Sequence, residues 1–325
     1  MTGLRTTLMI SIALSLLAQV IAMAADQPAA QQPQWERVLE HAPFIERDTA
    51  EDAVFLGKMW ISNAYSPGGA LLRDLWNSED GITWTKVLDE TPYTGYAEMV
   101  VFQDKLWAIK GGVWNSTDGV NWTQVLEKTP FGAPGYGEVV VFQDKIWQLG
   151  SGRGVWNTTD GITWTEATPE AGFGNRAASA VAVYDEKLWL IGGRTEGPSD
   201  PPEKHYPNFT TYNDVWCSTD GVTWTRVLEH APWAERMWFI AREYAGKLWI
   251  FGGFSNRQSI NFAEAWYTED GITWTEYKSE TMWSPRHEPT IYVFNGSLWL
   301  VAGNMWPLMN DVWRLTLPEG WEPGG

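Results

Sequence analysis

An all-β fold built from a ring of repeats is predicted by three periodicities in the 325-residue chain. Strand-like runs end in tryptophan six times, at Trp60, Trp107, Trp147, Trp189, Trp249 and Trp299. A second set follows at Trp76, Trp114, Trp156, Trp216, Trp266 and Trp313, and a third, always eight residues later, at Trp84, Trp122, Trp164, Trp224 and Trp274. Nine residues further on stands another aromatic residue: Tyr93, Phe131, Phe173, Trp233 and Trp283. A supersecondary unit recurring at such a period cannot bury its faces alone and stacks against its neighbours, which is the pattern of a β-propeller, here with six blades.

The elements follow in chain order. Residues 1–24 carry Arg5, an apolar run from Leu8 to Val20 and the small-residue site Ala22-Met23-Ala24, the form of a secretory signal peptide. That run is shorter than the roughly 20 residues of a spanning helix and no second one follows, so the mature chain is expected to stay out of the membrane. Residues 25–34 read as a linker and residues 35–317 as the propeller. Each unit runs through strands a, b, c and d, with strand b ending at the first tryptophan, strand c around the second and strand d around the third. The turn between c and d carries Asp-Gly, as in Ser78-Glu79-Asp80-Gly81-Ile82-Thr83-Trp84, because these residues supply the backbone angles of a tight hairpin. The last unit ends soon after Asp311-Val312-Trp313. The fragment Trp35-Glu-Arg-Val-Leu-Glu-His-Ala-Pro-Phe44 nearly repeats Trp224 to Trp233. Residues 35–44 are therefore expected as the outer strand of blade six, closing the ring without an open edge. Trp321, eight residues after Trp313, makes the tail of residues 318–325 the rival for that place.

Without the first 24 residues the chain has 22 Lys and Arg against 40 Asp and Glu, a formal net charge of −18. Such a surface repels nucleic acid. Cys217 is the only cysteine, so no internal disulfide forms and the fold stands on packing. With the export signal, this describes a secreted or periplasmic monomer.

Gly192-Gly193 and Gly252-Gly253 after strand b, the tryptophan-bearing strand that follows, and an arginine before the next strand a resemble the kelch repeat. The doublet decays to Ala302-Gly303, Gly150-Ser151 and Ser62-Asn63, and is displaced by one at Gly111-Gly112. The resemblance covers residues 35–317 and implies the propeller of kelch proteins and of the galactose oxidase central domain. That fold hosts a copper oxidase, sialic acid mutarotases and many protein-binding modules, so it selects no function by itself. Copper chemistry of the galactose oxidase kind needs a Cys-crosslinked Tyr, a second Tyr and two His. Of the four histidines here, His41, His205, His230 and His287, the first and third are copies in different blades. No metal and no cofactor is expected.

A site is sought where the blades differ. Thirteen residues before each strand-b tryptophan stand Arg47, Thr94, Pro134, Arg176, Arg236 and Arg286; two later come Thr49, Tyr96, Tyr136, Ala178, Trp238 and Glu288; two later again, Glu51, Glu98, Glu138, Ala180, Ile240 and Thr290. Extended chain has a period of two, so these positions should share a side and line a channel mouth. Arginine forks grip carboxylates and aromatic faces stack on sugars. The competing explanation is that each arginine pairs with a glutamate of the adjoining blade. Strand b to strand c separations are 16, 7, 9, 27, 17 and 14 residues, and the long blade-four insertion, residues 194–213, carries His205 within reach of the mouth, as Trp306 is from blade six. Glu98 and Glu138 are the candidates for a general acid and base, should burial separate their pKa values.

These residues point to a binding module for a saccharide or an extracytoplasmic protein. The alternatives are a sugar-processing activity similar to that of the N-acetylneuraminate epimerases, which would need the arginines free, and a purely structural interaction scaffold.

Overall fold

The computed structural model describes residues 32–321 apart from 134 and 153. The expected signal peptide and residues 25–31 of the expected linker lie outside the described residues. Gln34–Leu317 form one compact unit. It holds six antiparallel blades of four strands each, the sheet of blade four being extended by the short strands Ser151–Gly152 and Arg176–Ala177. Blade one is Glu51–Phe55, Lys58–Tyr65, Leu71–Ser78 and Trp84–Leu88; blade two Glu98–Phe102, Lys105–Lys110, Gly112–Ser116 and Thr123–Leu126; blade three Glu138–Phe142, Lys145–Leu149, Val155–Thr158 and Thr165–Thr168. Blade four is Ala180–Tyr184, Lys187–Glu196, Phe209–Ser218 and Thr225–Leu228; blade five Ile240–Tyr244, Lys247–Phe251, Ala265–Thr268 and Thr275–Tyr277; blade six Thr290–Phe294, Ser297–Asn304, Leu308–Leu315 and, from the N-terminal side, Glu36–Leu39. The closing strand runs antiparallel to strand c of blade six, with Glu36 opposite Arg314 and Arg37 opposite Trp313. It fills the outer place for which the tail was the rival. Among the described residues no helix is long and apolar enough to cross a membrane.

The three tryptophan sets divide the packing. Each strand-b indole is buried and donates its Nε1–H to the carbonyl five residues back, as from Trp60 to Phe55 at 2.8 Å and from Trp147 to Phe142 at 2.9 Å. Five of these rings lie on the Asp-Gly glycine of the following blade: Trp299 on Gly81, Trp60 on Gly119, Trp107 on Gly161, Trp147 on Gly221 and Trp189 on Gly271. At Gly271 (φ +73°) a Cβ would stand 2.0 Å from the Trp189 ring, so the position excludes every other residue by both its backbone and its neighbour. The turn is longer than a two-residue hairpin. In blade one it spans residues 79–83, where the Asp80 carboxylate accepts the Ile82 and Thr83 N–H groups at 2.8 and 2.6 Å. The strand-d tryptophans meet the aromatic residue of the preceding repeat edge to face, as in Trp233 against Trp274 with centroids 4.7 Å apart.

Candidate ligand-binding site on the propeller axis

The segment entering each blade decides which side chains reach the axis. Thr49, Tyr96, Tyr136, Ala178, Trp238 and Glu288 all have positive φ, between 48° and 62°. This left-handed residue interrupts the extended alternation expected across the three positions. The residue two before it turns into the blade, and the one two after it opens strand a beside the axis. A belt of backbone bonds supports the arrangement: the Ala178 N–H donates to Tyr136 (2.9 Å), Trp238 to Ala178 (3.1 Å) and Glu288 to Trp238 (2.8 Å).

The four arginines therefore do not line a channel mouth. Each is buried and paired inside its own blade, with the acid two residues before the strand-c tryptophan rather than with a glutamate of the adjoining blade. Arg47 binds Asp74 through two bonds of 2.9 Å, Arg176 binds Asp214 at 2.7 and 2.9 Å, and Arg286 binds Asp311 at 2.5 and 3.0 Å. Arg236 meets Glu264 at 2.7 Å. The strand-c indole donates to the same carboxylate, as Trp216 does to Asp214 at 2.8 Å. Arg176, Arg236 and Arg286 also donate to the carbonyl of the first doublet residue, Gly192, Gly252 and Ala302. The second doublet residue donates onward to the backbone of the next arginine, as Gly193 does to Arg236 at 3.0 Å. Arginine, glycine doublet and acid thus form one interlocking structural device.

The axial residues line a cavity of about 380 Å³. Glu51, Glu98 and Glu138 stand on its wall, as Glu288 and Asp52 do. They touch the cavity but are shielded from bulk water, and burial pushes their carboxyls up. Glu51 reaches about 8, with Glu138 and Asp52 adding repulsion, and Glu138 about 7. Glu98 and Glu288 rise well above the carboxylate range, again through burial first and neighbouring carboxylates second. One cation answers them directly. Arg242, from strand a of blade five, holds Asp52 at 2.9 and 3.2 Å and donates to the Ile291 carbonyl at 3.0 Å. Burial works against its charge, but Asp52 and Glu138 outweigh it and keep the guanidinium protonated. Burial lowers Lys110, against the pull of Glu98 and Glu51, and its ammonium lies 5.5 Å from the Tyr96 ring centre. Sequence reasoning missed Arg242, Asp52 and Lys110. Arg242 is the only basic residue in the six inner strands, a signal available from the repeat alignment.

An aromatic arc borders these acids. Tyr96 and Tyr136 are 6.2 Å apart, Tyr136 and Trp238 6.0 Å, and Trp238 stacks on His287 at 5.1 Å. Tyr136 is the most open of the three, 39 % exposed. His287 is buried, and burial pushes its imidazole down to about 3. The blade-four insertion extends strands b and c into a long hairpin that leans on blade five. Asn256 accepts the Tyr206 N–H at 2.7 Å, and the Tyr206 ring meets Trp238 edge to face at 5.9 Å. His205 is exposed, bonded to Ser259 at 2.8 Å and stacked on Trp306 at 5.6 Å. His205 and Trp306 thus meet each other at the rim and stand outside the cavity wall. His41 and His230 play one repeated part, each bonded to the asparagine of the neighbouring strand c, Asn310 and Asn213.

Fold and site together define a six-bladed β-propeller with an acid-lined, aromatic-rimmed pocket on its axis. No family model matches the chain, and no curated protein matches it in sequence. Many solved structures share the fold. The one titled "Structure of YjhT" aligns with a TM-score of 0.67 at 12 % identity, covering 86 % of this chain and 97 % of that one. At that identity the likeness establishes the fold alone.

Proposed function

We propose that the protein is an exported, kelch-like propeller that binds a neutral saccharide in its axial cavity. The observation that carries this reading is the convergence of Tyr136 and Trp238, with Tyr96 beside Tyr136, and of Glu51, Glu98, Glu138 and Glu288 on one pocket. Its volume lies within the roughly 300 to 1,000 Å³ of small-molecule sites. Aromatic faces match the apolar faces of sugar rings, and carboxyls that hold their protons near neutral pH both donate to and accept from hydroxyl groups. The same acids argue against an anionic sugar. Arg47, Arg176, Arg236 and Arg286 are committed to their own blades and Arg242 to Asp52, which leaves Arg194, packed on the Phe209 ring and 5.9 Å from that of Tyr136, to answer a carboxylate against five acids of the cavity wall. Binding of an extracytoplasmic protein remains the second reading for the rim formed by His205 and Trp306, which are exposed.

Isothermal titration of the purified protein against neutral mono- and disaccharides, N-acetylneuraminate and a uronic acid tests the proposal. Binding of a neutral sugar that is weakened in Tyr136→Ala supports it. Binding confined to the acidic sugars, or to none, overturns it.

A further inference from the structure

Where the ring closes, blades six and one bring together three groups of metal-ligand type. Asp48 and His287 occupy the same repeat position, directly after Arg47 and Arg286, where blades four and five hold Ala177 and Met237. A ring nitrogen of His287 and one carboxylate oxygen from each of Asp48 and Glu288 lie within 4.8 Å of one another. Asp48 and His287 are buried, and Glu288 stands half-buried on the cavity wall.

The surrounding hydrogen bonds leave His287 with a free lone pair. Asn261 donates its Nδ2–H to the Asn304 carbonyl at 3.1 Å, which turns its Oδ1 onto His287 Nδ1 at 2.7 Å. An amide oxygen only accepts, so Nδ1 carries the hydrogen and Nε2 carries the lone pair. Among the described residues nothing donates to Nε2, although the side chain is only 3 % exposed. Asn304 is oriented in turn by the Trp306 N–H on its Oδ1 (2.8 Å) and gives its Nδ2–H to Asp48 Oδ2 at 2.6 Å. Asp48 Oδ1 and Glu288 Oε2 both face the Thr49 hydroxyl, at 3.2 and 2.5 Å, one hydrogen for two acceptors. The nearest guanidinium in sequence, Arg47, is engaged by Asp74. Two carboxyl groups held in such a place need a proton or a cation between them.

We propose that Asp48, His287 and Glu288 form a site for a divalent transition metal, Zn²⁺ or Mn²⁺, with its remaining coordination positions open to the axial cavity. One imidazole nitrogen with two carboxylates is a borderline nitrogen and oxygen set, suited to these ions and poor for Ca²⁺, which takes six to eight oxygens. An imidazole that donates its second N–H to a carbonyl oxygen, and a carboxylate fixed by an amide, are the supports that metal ligands ordinarily have. Metal bonds of about 2.0 to 2.2 Å place tetrahedral ligand atoms about 3.4 Å apart, a closure within reach of side-chain rotation of Glu288. The ligand class that completes the shell is a polyol or water.

The test uses the metal alone, so it stands apart from the saccharide reading. The chelator-stripped protein is titrated calorimetrically with ZnCl₂, MnCl₂ and CaCl₂, and bound metal is counted by mass spectrometry after gel filtration. One equivalent of Zn²⁺ or Mn²⁺ is expected, with affinity reduced about 10- to 100-fold or more in His287→Gln and in Glu288→Gln, and unchanged in Glu229→Gln, exposed just past the outer strand of blade four. Far-ultraviolet circular dichroism of the metal-free variants confirms that they fold; Glu288, being half-buried, is the safer substitution. Absence of stoichiometric binding, binding indifferent to both substitutions, or preference for Ca²⁺ overturns the proposal.

Discussion

Replacing Arg176 by alanine isolates the blade-locking device. The guanidinium is 2 % exposed, makes two bonds to Asp214 and one to the Gly192 carbonyl, and lies 3.9 Å from the Tyr212 ring centre. Its removal leaves the Asp214 carboxylate, itself 5 % exposed, with the Trp216 indole as its remaining partner here. Breaking a buried pair from one side costs about 3 to 5 kcal/mol. For a unit of this size, that corresponds to a fall in Tm of about 6 to 15 °C at roughly 2 to 3 °C per kcal/mol. Urea unfolding followed by tryptophan fluorescence gives the free energy, and scanning calorimetry the Tm. The double variant Arg176→Met with Asp214→Leu should recover most of the loss, because it removes both charges together. Saccharide affinity should stay within about twofold of the parent, since neither residue borders the cavity. A loss under about 1 kcal/mol in Arg176→Ala, or a selective loss of binding with stability intact, would return the arginine to the role expected from sequence and refute the lock.

Gly271→Ala should destabilise the protein by about 2 to 4 kcal/mol in the same urea experiment, because a left-handed backbone and the Trp189 ring both oppose a Cβ. Trp35, 1 % exposed and 4.7 Å from Trp283, anchors the closing strand; Trp35→Ala should cost about 3 to 5 kcal/mol, and limited proteolysis should then cut first near residue 40. Tyr136→Ala should weaken neutral-sugar binding about tenfold, roughly 1.4 kcal/mol, while Tm moves by less than about 2 °C. The raised carboxyls set the pH dependence. With folded-state values of about 7 for Glu138 and about 8 for Glu51, above the ordinary glutamate range, their contribution is complete below about pH 4 and is lost as pH rises through 7 to 8. Facing them are Glu98, Asp52, Arg242, Lys110 and Glu288, and Tm should fall between pH 6 and 8.5 by less in Glu138→Gln than in the parent.

The six blades and the closing strand were legible because tryptophan spacing is a property of the chain alone, and Trp35 to Phe44 copies Trp224 to Trp233. The arginine partners were legible too, in a correlation that position-by-position reading passes over. Arg47, Arg176, Arg236 and Arg286 accompany Asp74, Asp214, Glu264 and Asp311, whereas Thr94 and Pro134 accompany Gly112 and Gly154. Repeats that lose the guanidinium lose the acid with it, which marks a pair inside the repeat. The direction of the arginines was not legible, because it depends on a left-handed residue whose six occupants, among them Thr49, Ala178 and Trp238, are not types that announce positive φ. Nor was the Asp48, His287 and Glu288 group, whose members are separated by some 240 residues and meet only when the last blade closes on the first.

The axial acids oppose the stability that the rest of the repeat builds. Glu51, Glu98 and Glu138 open the inner strands of blades one to three, where blades four to six place Ala180, Ile240 and Thr290 without difficulty. Nothing in the architecture requires a carboxyl there; beyond the burial that raises all three, Glu51 and Glu138 push Glu98 up and Glu138 pushes Glu51 up. Blades two and three also lack the arginine lock and have the shortest b to c connections, 7 and 9 residues between their tryptophans, so the acid-lined side of the pocket lies beneath the lowest part of the rim. Replacing Glu98 by glutamine should therefore stabilise the protein by about 0.5 to 2 kcal/mol near neutral pH while weakening whatever the pocket holds. Strain that the fold does not need, concentrated where the wall is lowest, is the physical reason to look for the ligand on the axis between blades one, two and three.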